Sequence, residues 1–148
     1  MKQLLAIIVF GLMLSVNSYA DLYKSKSFKC NYYHTSIGEI KNNKYKVDSE
    51  RTKKFEFSIV NINPTTKKSL LVGNNGTDEM TVINTNQSGI HFIQIMPVGN
   101  MTLTTIYPEE IGFNELGHKL FSSSHSRHMA MINKSLPQQF YGTCAKTG

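Results

Sequence analysis

The sequence predicts an all-β protein, folded as a small antiparallel meander of about eight strands that closes into a β-barrel. Two observations carry this expectation. Short segments in which apolar and polar residues alternate recur along the chain, and Gly, Asn and Pro turn signals separate them. With 148 residues the chain is long enough for one domain only, and closure removes the edge strands of so small a sheet. A two-sheet β-sandwich and an α+β arrangement are the alternatives.

Local patterns predict the individual strands. Phe55, Phe57 and Ile59 alternate with polar residues, which is the period of a half-buried strand. The Gly-Asn-Asn-Gly segment at 73–76 is a hairpin signal between two such strands. In chain order, the predicted strands are 27–36, 45–48, 54–61, 68–72, 80–84, 90–96, 101–107 and 119–131.

The longest predicted loop is 108–117, which runs from a proline to a glycine and is expected to hold one helical turn at 109–116. Proline stops the preceding strand because it has no N–H to donate to the sheet. The tail of the chain, 136–144, is expected to pack back against the sheet through Phe140 and Tyr141.

Residues 1–20 have the three parts of a secretory signal peptide. Lys2 supplies a short positive region, an apolar stretch follows, and Ser-Tyr-Ala at 18–20 gives the small residues required before a cut at Asp21. The apolar stretch, about 13 residues, is shorter than the roughly 20 of a membrane-spanning helix. We therefore expect a signal peptide, a single β-domain at 21–148 with no transmembrane segment, and a periplasmic or secreted protein.

The net charge of +6 is modest. Part of it comes in lysine pairs, at 53–54 and 67–68, which suits a solvated face that meets an anionic envelope polymer. No basic motif of a nucleic-acid-binding fold is present, so nucleic acid is not expected as a partner. The expected partner is a protein or an anionic envelope polymer, and the protein is expected to be a monomer.

Cys30 and Cys144 are the cysteines of the chain, one near each end of the predicted β-domain. In an exported protein such a pair is most simply a disulfide, which here would connect the first strand to the last segment. Two free thiols or an intermolecular bridge are the alternatives. A redox-active pair is not indicated because no Cys-x-x-Cys is present.

The densest polar segment is 122–128, Ser-Ser-Ser-His-Ser-Arg-His. In a strand, alternation places Ser123, His125 and Arg127 on one face with Phe121. The opposite face then carries the remaining serines and His128. The predicted binding residues are Ser123, His125, Arg127 and His128.

Lysine is the usual basic residue of this sequence, so an arginine at 127 suggests a role that requires the guanidinium group. A planar guanidinium grips a carboxylate or phosphate through two parallel hydrogen bonds, which lysine cannot do. The alternative is a structural role, in an internal ion pair or in hydrogen bonds to carbonyls of the 108–117 loop.

No catalytic residue, metal ligand or cofactor is predicted. His125 with a nearby serine could form a nucleophilic pair, which makes a hydrolase one alternative, but no Gly-x-Ser-x-Gly motif is present. His125 and His128 have the spacing of metal ligands on a helix, whereas a strand directs them to opposite sides.

Three segments together resemble a family of small exported bacterial β-proteins: Phe-Lys-Cys at 28–30, Ser-Arg-His at 126–128 and Tyr-Gly-Thr-Cys at 141–144. The likeness extends through Thr-Thr-Ile-Tyr at 104–107 and spans the predicted β-domain. The resemblance implies a bacterial envelope or secreted protein, and it brings no activity with it.

Taken together, these observations predict an exported, non-enzymatic binding protein, such as an inhibitor or accessory protein of the bacterial envelope. It would present the 122–128 strand and the 108–117 loop to its partner. A lipocalin-like carrier of a small apolar ligand is the second hypothesis. It requires an unfilled interior lined by a set of mostly apolar side chains: Phe55, Phe57, Ile59, Phe92 and Tyr107.

Overall fold

The computed structural model describes residues 21–42, 44–85, 88–131 and 134–148, so the predicted signal peptide lies outside the described part. The chain is all-β, and its strands form one antiparallel sheet. In chain order the strands are β1 (Phe28–Lys41), β2 (Lys44–Asn63), β3 (Lys68–Gly73), β4 (Gly76–Thr85), β5 (Gly89–Ile95), β6 (Met101–Phe113), β7 (Lys119–Met131) and β8 (Lys134–Lys146).

Each strand is hydrogen-bonded to the next one along the chain, and β1 is also hydrogen-bonded to β8. The hydrogen bonds therefore close into a ring, here called the strand ring, and the sheet is barrel-like. The predicted antiparallel meander is confirmed. One continuous sheet replaces the two sheets that a sandwich would need.

Two predicted strands are parts of a longer one. The segments expected at 45–48 and 54–61 both belong to β2, which continues through the charged residues between them. The tail expected at 136–144 belongs to β8, which pairs with both β7 and β1. The polar stretch between the two segments stays in the strand because β1 pairs with it, with His34 of β1 opposite Arg51.

The predicted loop at 108–117 is wrong, because β6 continues to Phe113. The register with β7 shifts between Ile106 and Glu110, so Pro108 lies outside the ladder and its missing N–H costs no hydrogen bond. The turn is confined to the residues that follow. There the Asn114 side-chain oxygen accepts hydrogen bonds from the backbone N–H groups of Leu116 and His118.

One end of the strand ring is filled, and we call it the closed end. Leu22, in the short segment before β1, is fully buried there. Asp21 forms ion pairs with Lys119 and Lys146, which hold this segment against β7 and β8. The hydrogen bond from Lys146 lowers the pKa of Asp21. The core at this end is apolar and includes Phe28, Ile59, Ile62, Val82, Ile90, Phe92, Ile106 and Phe121.

The predicted disulfide is confirmed: Cys30 and Cys144 are bonded across β1 and β8, where they are directly opposite. Both side chains are fully buried. The bridge therefore spans the seam at which the first strand meets the last, and it closes a loop between residues 114 positions apart.

Gly142 lies at the same seam, opposite Tyr32, where the β1 register shifts between Tyr32 and His34. A Cβ on Gly142 would lie 2.0 Å from the carbonyl oxygen of Asn31 and 2.6 Å from the Cα of Tyr32. Both are backbone atoms that cannot move aside without breaking the strand pairing. The two backbones can therefore approach this closely only with glycine at this position.

Removing the disulfide is expected to destabilise the protein strongly. The double variant Cys30→Ala/Cys144→Ala should lose about 4–5 kcal/mol of unfolding free energy, because the unfolded chain regains the freedom of a loop of more than a hundred residues. Urea unfolding of the oxidised protein and of the double variant measures this difference. An unchanged midpoint and slope would contradict the expectation.

Gly142→Ala is expected to lower the free energy of unfolding by about 3 kcal/mol or more, since the new methyl group would overlap the β1 backbone at Asn31 and Tyr32. Gly73→Ala is the matched control: it also lies in a strand, but its Cβ would meet only the Leu71 side chain, at 3.7 Å. The control should change stability by less than about 1 kcal/mol. Equal effects of the two substitutions, measured by urea unfolding, would rule out the close approach as the reason for Gly142.

Candidate functional site

The end of the strand ring opposite Leu22 contains a pocket of about 390 Å³, and we call it the pocket end. The β3–β4 turn, Asn74 and Asn75, lies at its rim. Its apolar lining consists of Phe55, Phe57, Leu71, Met96 and Met129. Its polar lining includes Gln94, Thr102, His125 and Arg127. Glu56 and Asp78 also contribute to the lining, so the pocket combines apolar and polar groups. Its volume lies within the range of small-molecule sites.

The alternation predicted for β7 is confirmed. Phe121, Ser123 and His125 are buried, and Arg127 is partly buried at the pocket. His128 is exposed on the opposite face of the strand. Of the four predicted binding residues, His125 and Arg127 line the pocket. Ser123 lies deeper in the interior, and His128 points away from the pocket.

Ser123 has a structural role in the interior. Its hydroxyl donates to the carbonyl oxygen of Thr105 at 2.8 Å and is hydrogen-bonded to the Tyr32 hydroxyl at 3.0 Å. Burial raises the pKa of Tyr32, so this phenol stays protonated. With both neighbours satisfied and only 3% of its surface exposed, Ser123 has no free group to offer a ligand.

His125 is 2% exposed and lies in an aromatic cluster. Its ring centroid lies between 5.2 and 5.8 Å from the centroids of Tyr32, Phe55, Phe57 and Phe140. Burial, and secondarily the positive charge of Arg127, lower the pKa of His125 to about 3. The imidazole is therefore neutral at physiological pH.

The hydrogen bonds of His125 define its tautomer. Nε of Arg127, which can only donate, is 3.4 Å from Nε2 of His125, so Nε2 is the acceptor. Nδ1 then carries the proton and donates to Oγ1 of Thr104 at 2.8 Å. A chain of hydrogen bonds therefore runs from Arg127 through His125 to Thr104, which is fully buried.

Arg127 is held mainly by aromatic rings. Its guanidinium carbon lies 4.4 Å from the centroid of Phe55 and 5.0 Å from that of Phe140, within cation–π distance. Partial burial lowers its pKa. In the part of the chain that the structure describes, the guanidinium forms no ion pair, and its hydrogen-bond partner is His125, so neither predicted structural partner holds it.

The serine–histidine pair considered for a hydrolase is not formed among the described residues. The hydroxyl bound to His125 belongs to Thr104, which is inaccessible to solvent. His91, for its part, is bound to Thr105. Nor does any group of three or more His, Cys, Asp or Glu side chains converge as metal ligands in 21–42, 44–85, 88–131 and 134–148.

The side chains predicted to line a carrier cavity separate into three groups. Phe55 and Phe57 line the pocket. Ile59 and Phe92 are completely buried in the packed core toward the closed end. Tyr107 is exposed, and its hydroxyl is hydrogen-bonded to Ser124 on the outer face. The cavity is therefore confined to one end of the interior.

Sequence reasoning missed Gln94 and Thr102 as site residues. Gln94 is 7% exposed, and Thr102 donates a hydrogen bond to its side-chain oxygen at 3.2 Å. A signal was present: Gln94 continues the inward face of Ile90 and Phe92. A polar residue at an inward strand position calls for a buried partner or a cavity.

Comparison with protein-family models, with curated proteins and with solved structures finds no match for this chain. In the described residues, no helix has the length and apolar character needed to span a membrane.

The buried neutral His125 is expected to make stability fall in mild acid. Its folded pKa of about 3 lies below the ordinary 6.5, so below pH 6.5 the unfolded chain binds a proton that the folded chain refuses. The stabilisation is complete above pH 6.5 and is lost as the pH falls toward 3, by about 2 kcal/mol between pH 7.5 and pH 5.

Urea unfolding of His125→Gln at both pH values checks this expectation, because the variant should lose this part of the pH dependence. His34→Gln, at an exposed position, is the control and should keep it. If His125→Gln and the parent protein lose equal stability on acidification, another group is responsible.

Proposed function

We propose that this protein is an exported, non-enzymatic binding protein whose ligand site is the pocket at the pocket end. One observation carries the proposal: Arg127, a cation without a carboxylate partner among the described residues, borders a pocket of about 390 Å³. A partly buried cation loses part of its hydration free energy, and an anionic partner normally compensates for that loss. A bound anionic ligand would supply the ion-pair partner that Arg127 lacks among the described residues.

The surrounding contacts support binding rather than catalysis. His125 is the hydrogen-bond partner of Arg127, and a pKa of about 3 makes it a poor proton acceptor near neutral pH. The hydroxyl nearest to it, that of Thr104, is buried beneath the ring and unreachable for a substrate. These groups orient Arg127, and they offer no activated nucleophile.

Export is supported by two features. Residues 1–20 have the pattern of a signal peptide, and the disulfide between Cys30 and Cys144 is the form expected in an oxidising compartment. These features support the proposed periplasmic or secreted location, and the sequence resemblance to small exported bacterial proteins agrees with it.

A protein partner is the second candidate function, and exposed apolar side chains around the β6–β7 turn favour it. Phe113 is 62% exposed and Leu116 is 79% exposed, and Ile111 lies next to them. Exposed apolar side chains that lie together often mark protein interaction sites. This surface includes the segment that the sequence singled out at 108–117, although β6 extends through much of it.

The proposed function is tested by NMR titration of the ¹⁵N-labelled domain, residues 21–148, with mixtures of small anionic, neutral and cationic organic compounds. Saturable shifts are expected at the amides of pocket residues such as Gln94, Met96 and Thr102, with the closed end unaffected. If no mixture perturbs these amides, the pocket does not bind small molecules. Shifts confined to the β6–β7 turn would favour the protein-partner candidate.

A matched pair of variants locates the binding. Met96→Trp fills the pocket and should abolish the shifts. Ile95→Trp adds the same side chain at the preceding position, which is 74% exposed, and should leave them intact. Equal binding by both variants would place the ligand elsewhere.

A further inference from the structure

We propose that the ligand of the pocket is a small amphipathic carboxylate: an alkyl or aryl body that ends in a single carboxylate, bound by Arg127 and Gln94. This inference rests on the proposed function and adds the chemical class of the ligand. It follows from how donors and apolar side chains are distributed around the pocket.

The donors lie in one row across three neighbouring strands. Gln94 on β5 is paired with Thr102 on β6, and Thr102 is paired with Arg127 on β7. All three line the pocket. Strand pairing therefore places the backbones of Gln94 and Arg127 at the same height of the pocket, with β6 between them. From there the Arg127 side chain extends so that its guanidinium lies over Phe55 and Phe140.

The edge of the Arg127 guanidinium that carries the two terminal nitrogens is available to bind an anion. Phe55 and Phe140 lie within cation–π distance of the guanidinium, and Nε is occupied by His125. Among the described hydrogen bonds, the two terminal nitrogens donate to no protein group. A planar carboxylate matches such a fork with two parallel hydrogen bonds.

Gln94 supplies a second donor. Its side-chain oxygen accepts from Thr102, which directs the amide nitrogen to a different neighbour. Among the described hydrogen bonds that nitrogen has no protein acceptor, although the residue is 7% exposed. A carboxylate has two oxygens and enough lone pairs to accept from both Arg127 and Gln94.

Apolar side chains also line the pocket, and one of them, Phe55, lies directly beside the Arg127 guanidinium. Phe57 on β2 and Leu71 on β3 continue this apolar lining. Met96 and Met129 complete the lining with flexible side chains that adapt to different shapes. A ligand that fills the pocket must therefore carry an apolar body beside its anionic group.

The remaining charges limit the ligand to a single anionic group. Glu56 on β2 and Asp78 on β4 also line the pocket. Glu56 directly follows Phe55, and β4 is the neighbour of β5, which carries Gln94. A second negative group would approach these carboxylates and be repelled. This distribution disfavours an anionic polymer in the pocket.

The test compares ligands that differ in charge and share one body. Isothermal titration calorimetry of the disulfide-bonded domain, residues 21–148, uses decanoate, decanol, decylammonium and decyl phosphate, with phenylbutyrate and phenylbutanol as an aromatic pair, all below their aggregation concentrations. In at least one pair the carboxylate should bind at a ratio of one to one and about tenfold or more tighter than its alcohol.

Variants of Arg127 test whether this residue is the cause of the preference for the carboxylate over the alcohol. Arg127→Gln should reduce carboxylate affinity to that of the alcohol while the alcohol's affinity stays the same. Arg127→Lys keeps the charge without the fork and should retain only part of the preference. Arg51→Gln, at an exposed position, removes the same charge elsewhere and should change nothing. Thermal unfolding of each variant confirms that the domain is folded, and Arg127→Lys carries the test if Arg127→Gln is not.

The outcomes separate the two proposals. Equal binding of carboxylate and alcohol in the pocket overturns the carboxylate assignment and leaves the binding function in place. Tighter binding of decyl phosphate than of decanoate also overturns it, since the site would then be built for a phosphate. Binding of none of these compounds overturns the assignment, and the binding function itself fails if the NMR mixtures also leave the pocket amides unchanged.

Discussion

The pairing of β1 with β8 is the constraint on which the rest of the structure depends. Without it, the meander would have two edge strands with unpaired N–H and C=O groups. Cys30, Cys144 and Gly142 all lie at this seam. The disulfide joins the two strands covalently, and glycine allows their backbones to approach where the register shifts. The sequence segments 28–30 and 141–144, which contain these residues, therefore have a structural explanation.

Closure of the sheet also makes the two ends of the interior different. The closed end is filled by Leu22 and by aromatic and aliphatic side chains that need no polar partner. Toward the pocket end several inward positions are polar, among them Gln94, Thr102 and His125, and all three are buried. Because His125 is neutral and aromatic rings flank Arg127, the charge of Arg127 is positioned without being neutralised. This arrangement is the basis of the proposed recognition of an anion.

Much of the local organisation could be predicted from the sequence. Alternation placed Ser123, His125 and Arg127 on one face of β7, and the position of the two cysteines indicated their bridge. The predictions that were wrong concern positions whose environment depends on strands that are distant in sequence. The sequence pattern predicts that a strand ends at Pro108, whereas a register shift in the β6–β7 ladder accommodates the proline within β6. Tyr107 was assigned to the interior, whereas it lies on the outer face.

The sequence by itself determined the all-β class, the inward face of each well-patterned strand and the disulfide, because period-two alternation and cysteine placement are local properties. The tertiary structure decided which inward residues meet the pocket. Depth along the interior depends on the register of each strand against its neighbours, which no single segment contains. For this reason Ser123 is buried against Tyr32 while Arg127, two positions further along the same face, borders the pocket beside Gln94.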